Sequence, residues 1–207
     1  MGLSCTQPID YERLASEAGV SSESWRAFVV DALVGPWLSA YRAATAWPTE
    51  VVEIEQGALT FLFDGAPTFN RVGGQDADDR VVAVWGTSIV PLRRRDRSRV
   101  AGFLPNPLTW SGRQRDRGHF VAHTAGGGLD LNLFPQDAGL NRGRGEQGRR
   151  WRRIERYAAG NPGTPLFVRP TYAGDEWTPA ALDYGVLTGE GLWVERFVNV
   201  AAVEPRG

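Results

Sequence analysis

Arg115-Asp116-Arg117-Gly118-His119-Phe120 is the stretch from which the rest of this 207-residue chain is read. After it come Asn132-Leu133-Phe134-Pro135-Gln136, then Leu140-Asn141-Arg142-Gly143, then Trp151-Arg152-Arg153-Ile154-Glu155. These pieces hold a histidine, two asparagines in turn-like settings, a glutamate on a helical stretch and many arginines. Hydrolysing a phosphodiester near neutral pH needs a base for water, stabilisation of the charge that grows on phosphorus oxygens, and neutralisation of the leaving oxygen. Histidine suits the first task. Mg²⁺ suits the other two, and since it keeps several waters, one or two protein oxygens suffice to hold it. His119, Asn141, Glu155 and Arg117 are of the types these roles require, Arg117 as a bidentate grip on phosphate.

The charge distribution points the same way. The net charge of −1 conceals 15 bases and 6 acids between residues 92 and 156, a local excess of nine positive charges. Residues 1–91 carry 12 acids and 5 bases, and residues 157–207 carry 6 acids and 3 bases. A basic segment inside a neutral chain is the electrostatic footprint of a nucleic-acid binder. Every base is arginine; the absence of lysine fits a coding bias and is given no functional weight. The one cysteine excludes an intramolecular disulfide and a cysteine-based zinc site. No apolar run approaches the roughly 18 residues of a membrane span, and no Sec-type signal is visible. The expected setting is therefore off the membrane, in the cytoplasm or reached by a non-Sec route. Met1-Gly2-Leu3-Ser4-Cys5-Thr6 fits the loose myristoylation pattern, which chance also produces.

Along the chain, Asp10 is an expected N-cap for Tyr11–Ala18, with Gly19 as its stop. Trp25, Phe28, Val29 and Leu33 recur at helical spacing. Gly35-Pro36 is expected to break or kink that helix, and Pro48 to end the helical run. Val51–Glu55 and Leu59–Phe63 around Gln56-Gly57 read as a hairpin, and Val81–Trp85 as a strand. Gly73–Asp79 and Pro105–Gly112 read as loop, and Arg93–Arg99 as a charge run. Residues 117–123 predict a short strand, residues 129–144 a long loop, and Glu146–Ala159 a helix ended by Gly160. On that helix Trp151, Ile154 and Ala158 share one face, Arg149, Arg152, Arg153 and Arg156 the other, and Glu155 falls at the border. Leu166–Arg169, Leu182–Leu187 and Leu192–Val200 predict strands.

Residues 116–159 resemble the DNA/RNA non-specific endonucleases, the ββα-metal nucleases of secreted bacterial enzymes, mitochondrial endonuclease G and bacterial toxin domains. Asp116-Arg117-Gly118-His119 matches the DRGH signature, and Asn132–Gln136 is similar to the N-x-x-P-Q loop. Leu140–Gly143 is similar to LN-x-G, and Trp151–Glu155 to the W-x-x-[LI]-E helix. The four blocks stand in the family's order, and the toxin-type branch is the nearest in character. The resemblance implies an α+β fold: a ββα-metal nuclease core with a mixed or antiparallel sheet and an N-terminal helical layer. Residues 1–48 would be the helical extension and residues 49–207 the nuclease-like domain.

By the same resemblance, His119 would be the general base and Asn141 the direct protein ligand of Mg²⁺, with Mn²⁺ an alternative ion. Glu155 would hold a metal-bound water, and Arg117 would bind phosphate. Arg113, Arg115 and Arg152 would contact nucleic acid. DNA and RNA would be cut with little sequence preference into 5′-phosphate products. A cognate immunity protein would be a further partner if the chain is a toxin. Two departures stand out. About six extra residues, Arg144–Arg149, lengthen the span from Asn141 to the helix. Ala159 replaces the arginine expected one turn after the glutamate, a role Arg152 could assume.

Other residues have plainer readings. Asp116 reads as a structural acceptor and Asn132 as a turn former, although Asn132 competes with Asn141 for the metal. Glu146 stands at a helix start, where an acid is commonplace. His123 reads as structural or as a minor substrate contact. The arginine stripe is a solvated face or a phosphate track. The rival from another class is a catalytically silent nucleic-acid-binding module on the same scaffold.

Overall fold

The computed structural model describes residues 9–45, 50–65, 80–91, 115–174, 176 and 178–199. Six antiparallel strands form one sheet in the order β1-β2-β3-β6-β7-β8. They are β1 (Val51–Gln56), β2 (Leu59–Asp64), β3 (Arg80–Thr87), β6 (Pro165–Thr171), β7 (Ala181–Thr188) and β8 (Gly191–Val198). β4 (Arg115–His119) and β5 (Leu133–Asp137) pair apart from it as a two-stranded antiparallel ribbon. The fold is α+β. Among the described residues, no helix is long and apolar enough to cross a membrane.

The four central strands β2, β3, β6 and β7 are buried on both faces because they carry apolar residues at odd and even positions alike. One face receives α1 (Tyr11–Ala18) and a longer helical run from Trp25 to Ala44. Asp10 caps α1 by accepting from Arg13 N at 3.0 Å, and Gly19 ends it in the left-handed region at φ 55°. The longer run comprises α2 (Trp25–Phe28), a π segment (Val29–Leu33) and α3 (Val34–Ala44). Gly35-Pro36 therefore does not break it. Proline lacks the N–H that would meet Ala32, and its ring crowds that carbonyl, so the turn before it widens and Val34 N bonds Val29 O instead. Trp25, Phe28, Val29, Leu33 and Trp37 then pack on Leu62, Ala83, Trp85 and Phe167.

A β-bulge adjusts β3 to this layer. Leu62 pairs with Ala83 and Phe63 with Val81, so Val82 is the extra residue. Val82 and Ala83 consequently both belong to the helix-side core, while Val81 and Val84 belong to the opposite one. Asp183 on β7 ties the layer down. It is 4 % exposed and accepts from Tyr11 Oη at 3.0 Å, Arg169 Nη1 at 3.1 Å and Arg196 Nη1 at 2.7 Å.

The other face receives the ribbon, a short helix α4 (Ala138–Asn141) and α5 (Gly145–Gly160). Trp151, Ile154 and Ala158 of α5 are fully buried there against Tyr184, Phe197 and their neighbours, as the helical spacing predicts. Two expectations need correction. The strand expected over 117–123 runs from Arg115 to His119, and the chain then turns into a 3₁₀ segment, His123–Ala125. The loop expected over 129–144 contains a 3₁₀ turn (Asp130–Asn132), β5 and α4. β5 is only five residues long and contains Pro135, a residue that argues against a strand except where the ladder is short or at an edge. Met1–Thr6, Pro48, Gly73–Asp79, Arg93–Arg99, Pro105–Gly112 and Arg113 lie outside the described residues.

Candidate active site

In the ribbon Arg115 faces Asp137, Asp116 faces Gln136 and His119 faces Leu133. Side chains alternate along a strand, which puts Arg115, Arg117 and His119 on one face and Asp116 and Gly118 on the other. Gly118 has a steric reason to be glycine: a Cβ there would run into the Gln136 side chain. Phe120 and Phe134 stack with centroids 4.4 Å apart and anchor the ribbon in the core. Asn199, 1 % exposed, fastens it to the large sheet. Its Nδ2 donates to Pro135 O at 2.9 Å and Pro179 O at 2.7 Å, and its Oδ1 accepts from Asp137 N at 2.8 Å.

Asp137 then caps α4, accepting from Leu140 N at 2.9 Å, and that helix ends on Asn141. A tight turn leads into α5, where Gly148 lets the turn lie against the helix. A Cβ on Gly148 would stand 2.7 Å from Gly139 O. Most of the lengthened span is thus absorbed as the first turn of α5, which starts at Gly145.

Asp116 reaches from β4 to this turn. Its Oδ2 accepts from Asn141 Nδ2 at 2.8 Å and Arg142 Nε at 2.8 Å, and its Oδ1 from Arg142 Nη2 at 2.7 Å. Burial opposes the Asp116 charge, but Arg142, Asn141 and Arg144 outweigh it and hold the carboxyl below its usual range. An ionised carboxylate only accepts, so Asn141 must turn its N–H toward Asp116 and its Oδ1 away. The Asn141 backbone carbonyl accepts from Arg152 Nη2 at 2.7 Å, and Arg152 Nη1 donates to Glu155 Oε2 at 3.2 Å. Asp116, Asn141, Arg152 and Glu155 are therefore one hydrogen-bonded chain. His119, 9 % exposed, closes the strand from which that chain starts.

Glu155 is 8 % exposed. Burial raises its carboxyl above the usual range, with Arg152 opposing the shift. Trp151 Nε1 leans toward the same carboxylate and favours its charge, although its geometry falls short of a hydrogen bond. Such a carboxyl is held partly against its preference, as acids in functional sites commonly are.

The donor set fits a hard divalent cation. Asn141 Oδ1 accepts no hydrogen bond from any described residue, and a carboxylate lies two hydrogen bonds further along the chain. Asn132 is the less accessible rival ligand, held in the core by its hydrogen bonds. It is fully buried, its Nδ2 donates to Val121 O at 2.8 Å and Gly128 O at 3.0 Å, and its Oδ1 accepts from Val121 N at 2.9 Å. No group of three or more His, Cys, Asp and Glu side chains is assembled for a metal among the described residues. One amide oxygen completed by waters does not require such a group.

The other candidate residues are placed differently, with Arg115, Arg117 and His119 on the ribbon face away from Asp116. Arg117 is half-buried, whereas Arg115 is only 8 % exposed and so lies largely inside the protein. His123 sits in the 3₁₀ segment with Nδ1 3.3 Å from Gly127 O, a local structural contact. The arginine stripe of α5 divides: Arg152 turns to Asn141 and Glu155, Arg153 bonds Glu195 at 3.0 Å, and Arg149 is exposed. Arg142 was not singled out in the sequence, and nothing in its spacing indicates that it would share Asp116 with Asn141. No protein-family model and no curated protein matches this chain.

Proposed function

We propose that the chain is a Mg²⁺-dependent endonuclease of ββα-metal type that hydrolyses phosphodiester bonds of DNA and RNA with little sequence preference. The observation that carries the reading is the orientation of Asn141. Asp116 takes its amide N–H, and the Oδ1 left over is a neutral oxygen ligand close to the Arg152–Glu155 pair. The order of elements gives further support, since a two-stranded ribbon bearing His119 is followed by a helix bearing Glu155.

In this reading His119 accepts a proton from the attacking water. The 5′-phosphate remains on one product and the 3′-oxygen leaves. Asn141 Oδ1, and Glu155 through a water, would hold the ion. When bound, the ion supplies positive charge to the phosphate oxygens and to the leaving oxygen. Arg117 grips the phosphate from the ribbon, and Arg152 lies beside Glu155 where it can meet a second phosphate oxygen. Such contacts give affinity without sequence information.

The decisive experiment is digestion of plasmid DNA and of RNA with Mg²⁺ and with EDTA, comparing wild type with His119→Ala. Cleavage by the wild type that needs Mg²⁺ and falls by roughly 10²–10⁴ in the variant is expected. Cleavage by the variant that persists in EDTA sinks the mechanism, and binding without cleavage by the wild type points to a silent nucleic-acid-binding module.

A further inference from the structure

Two hydrogen-bond donors on the core side of α5 are enclosed in the protein and make no hydrogen bond among the described residues. Tyr184 on β7 is fully buried, and its ring stands edge-on to Trp151 with centroids 5.1 Å apart at 67°. Trp151 precedes Glu155 by four residues on α5 and so lies one turn above it on the same side of the helix. Neither Tyr184 Oη nor Trp151 Nε1 makes a hydrogen bond among the described residues. Buried donors are rarely left so, and where they are, the exception calls for an explanation. Tyr184 stands among apolar neighbours in a core that a phenylalanine would fill equally well. The hydroxyl is therefore not explained by packing.

The surroundings of Glu155 say what it addresses. Arg152 takes Oε2 from the solvent side at 3.2 Å. Trp151 lies on the buried face of α5 one turn from Glu155, and Tyr184 packs edge-on to it from the sheet. Burial, and then the nearby Glu155 charge, push the Tyr184 hydroxyl up, so it keeps its proton and acts as a donor.

We propose that Tyr184 is a positioning residue for Glu155. With the Trp151 N–H it presents a donor to the core side of the carboxylate group through one water. It thereby fixes how Oε1 is turned toward the Asn141 side. The inference rests on the endonuclease reading, because only there does the orientation of Glu155 matter to a bound ion.

The test is Tyr184→Phe in the full chain, a change that keeps the ring on Trp151 and deletes one oxygen. Three quantities are measured: affinity for Mn²⁺ from the free-ion electron paramagnetic resonance signal, kcat and KM for an oligonucleotide, and the thermal midpoint. Losing a supporting contact to a metal site weakens metal affinity or activity by about 10–100-fold. A loss of about tenfold in Mn²⁺ affinity and in kcat is expected, with KM and thermal midpoint unchanged. Unchanged Mn²⁺ affinity and kcat overturn the proposal, as does a fall in activity that merely follows a lowered thermal midpoint. A wild type that neither binds Mn²⁺ nor cleaves defeats the endonuclease reading itself, and this proposal with it. A wild type that does both, beside an unaffected Tyr184→Phe, defeats the positioning role alone.

Discussion

Arg152 Nη2 donates to the Asn141 carbonyl at 2.7 Å, joining residues 11 apart in sequence across the turn between α4 and α5. The same guanidinium reaches Glu155, so one side chain spans the two ends of the lengthened segment. A lysine has charge but not the planar fork that makes both bonds at once. Arg152→Lys is therefore expected to behave nearly as badly as Arg152→Ala. Each should lose about 10-fold or more in cleavage rate and about 1–2 kcal/mol of stability from the charge-assisted bonds. Urea unfolding and initial cleavage rates measure both effects. A lysine variant equal to wild type would show that charge alone is required.

Asp116 is expected to act by orienting Asn141. In Asp116→Asn the substituted amide can present N–H instead of an acceptor to Asn141, which frees the latter to rotate. Affinity for Mn²⁺ should fall about 10–100-fold while the chain stays folded. There is also an acid signature. The folded carboxyl lies below its unfolded value of about 3.9. Its stabilising contribution is thus complete above that pH and is lost as pH falls through the lower, folded value. Thermal midpoints of wild type and Asp116→Asn between pH 7 and pH 2 should converge only at the acid end.

Glu155 should show the opposite sign. Its folded carboxyl is raised above the unfolded value of about 4.3, so the folded state binds a proton that the unfolded state releases first. Stability then declines as pH rises through the window above 4.3 and does not recover beyond it. Glu155→Gln should melt at or above the wild-type temperature at pH 7, with the gap closing below about pH 4. Its cleavage rate should fall by roughly 10² or more. A variant that is both inactive and markedly less stable at pH 7 would contradict the assignment.

The Asn199 side chain makes three hydrogen bonds in a fully enclosed position, two of them to the ribbon strand β5. Asn199→Ala should cost about 2–4 kcal/mol, since several buried backbone groups lose their partners together. The loss should be concentrated in the ribbon. Hydrogen exchange of the amides between 115 and 137 should accelerate more than exchange in β6 and β7. Uniform acceleration across the sheet would show that the ribbon is not docked through this residue.

What could be read in advance followed physical periodicity. The Gln56-Gly57 hairpin, the α1 cap at Asp10 and the buried stripe Trp151, Ile154 and Ala158 each depend on neighbours in sequence, and each lies where the pattern puts it. Residues 129–144 were opaque for the converse reason. β5 exists because it pairs with Arg115–His119, and Pro135 hides that partnership from any local reading. Trp37 and Pro36 show a third case: proline weakens the α pattern, and a π segment, stabilised by packing on the sheet, restores it. At the candidate site, residue types and order were legible. That Asp116 would be shared by Asn141 and Arg142, and that Tyr184 would pack on Trp151, depend on strand and helix placement.

The sheet also separates two layers of opposite charge. The helices over residues 9–44 hold 5 acids against 3 bases, whereas residues 138–160 on the other face hold 7 bases against 2 acids. Between these two described layers the charge is consequently a dipole set across a low-dielectric slab about one strand thick. A polyanion drifting toward it feels attraction from one side and repulsion from the other well before contact. Collisions are thereby sorted by orientation, so that the side carrying α5 leads. Ionic strength, which shortens the reach of such fields to roughly 8 Å at 0.15 M, sets how early that sorting begins.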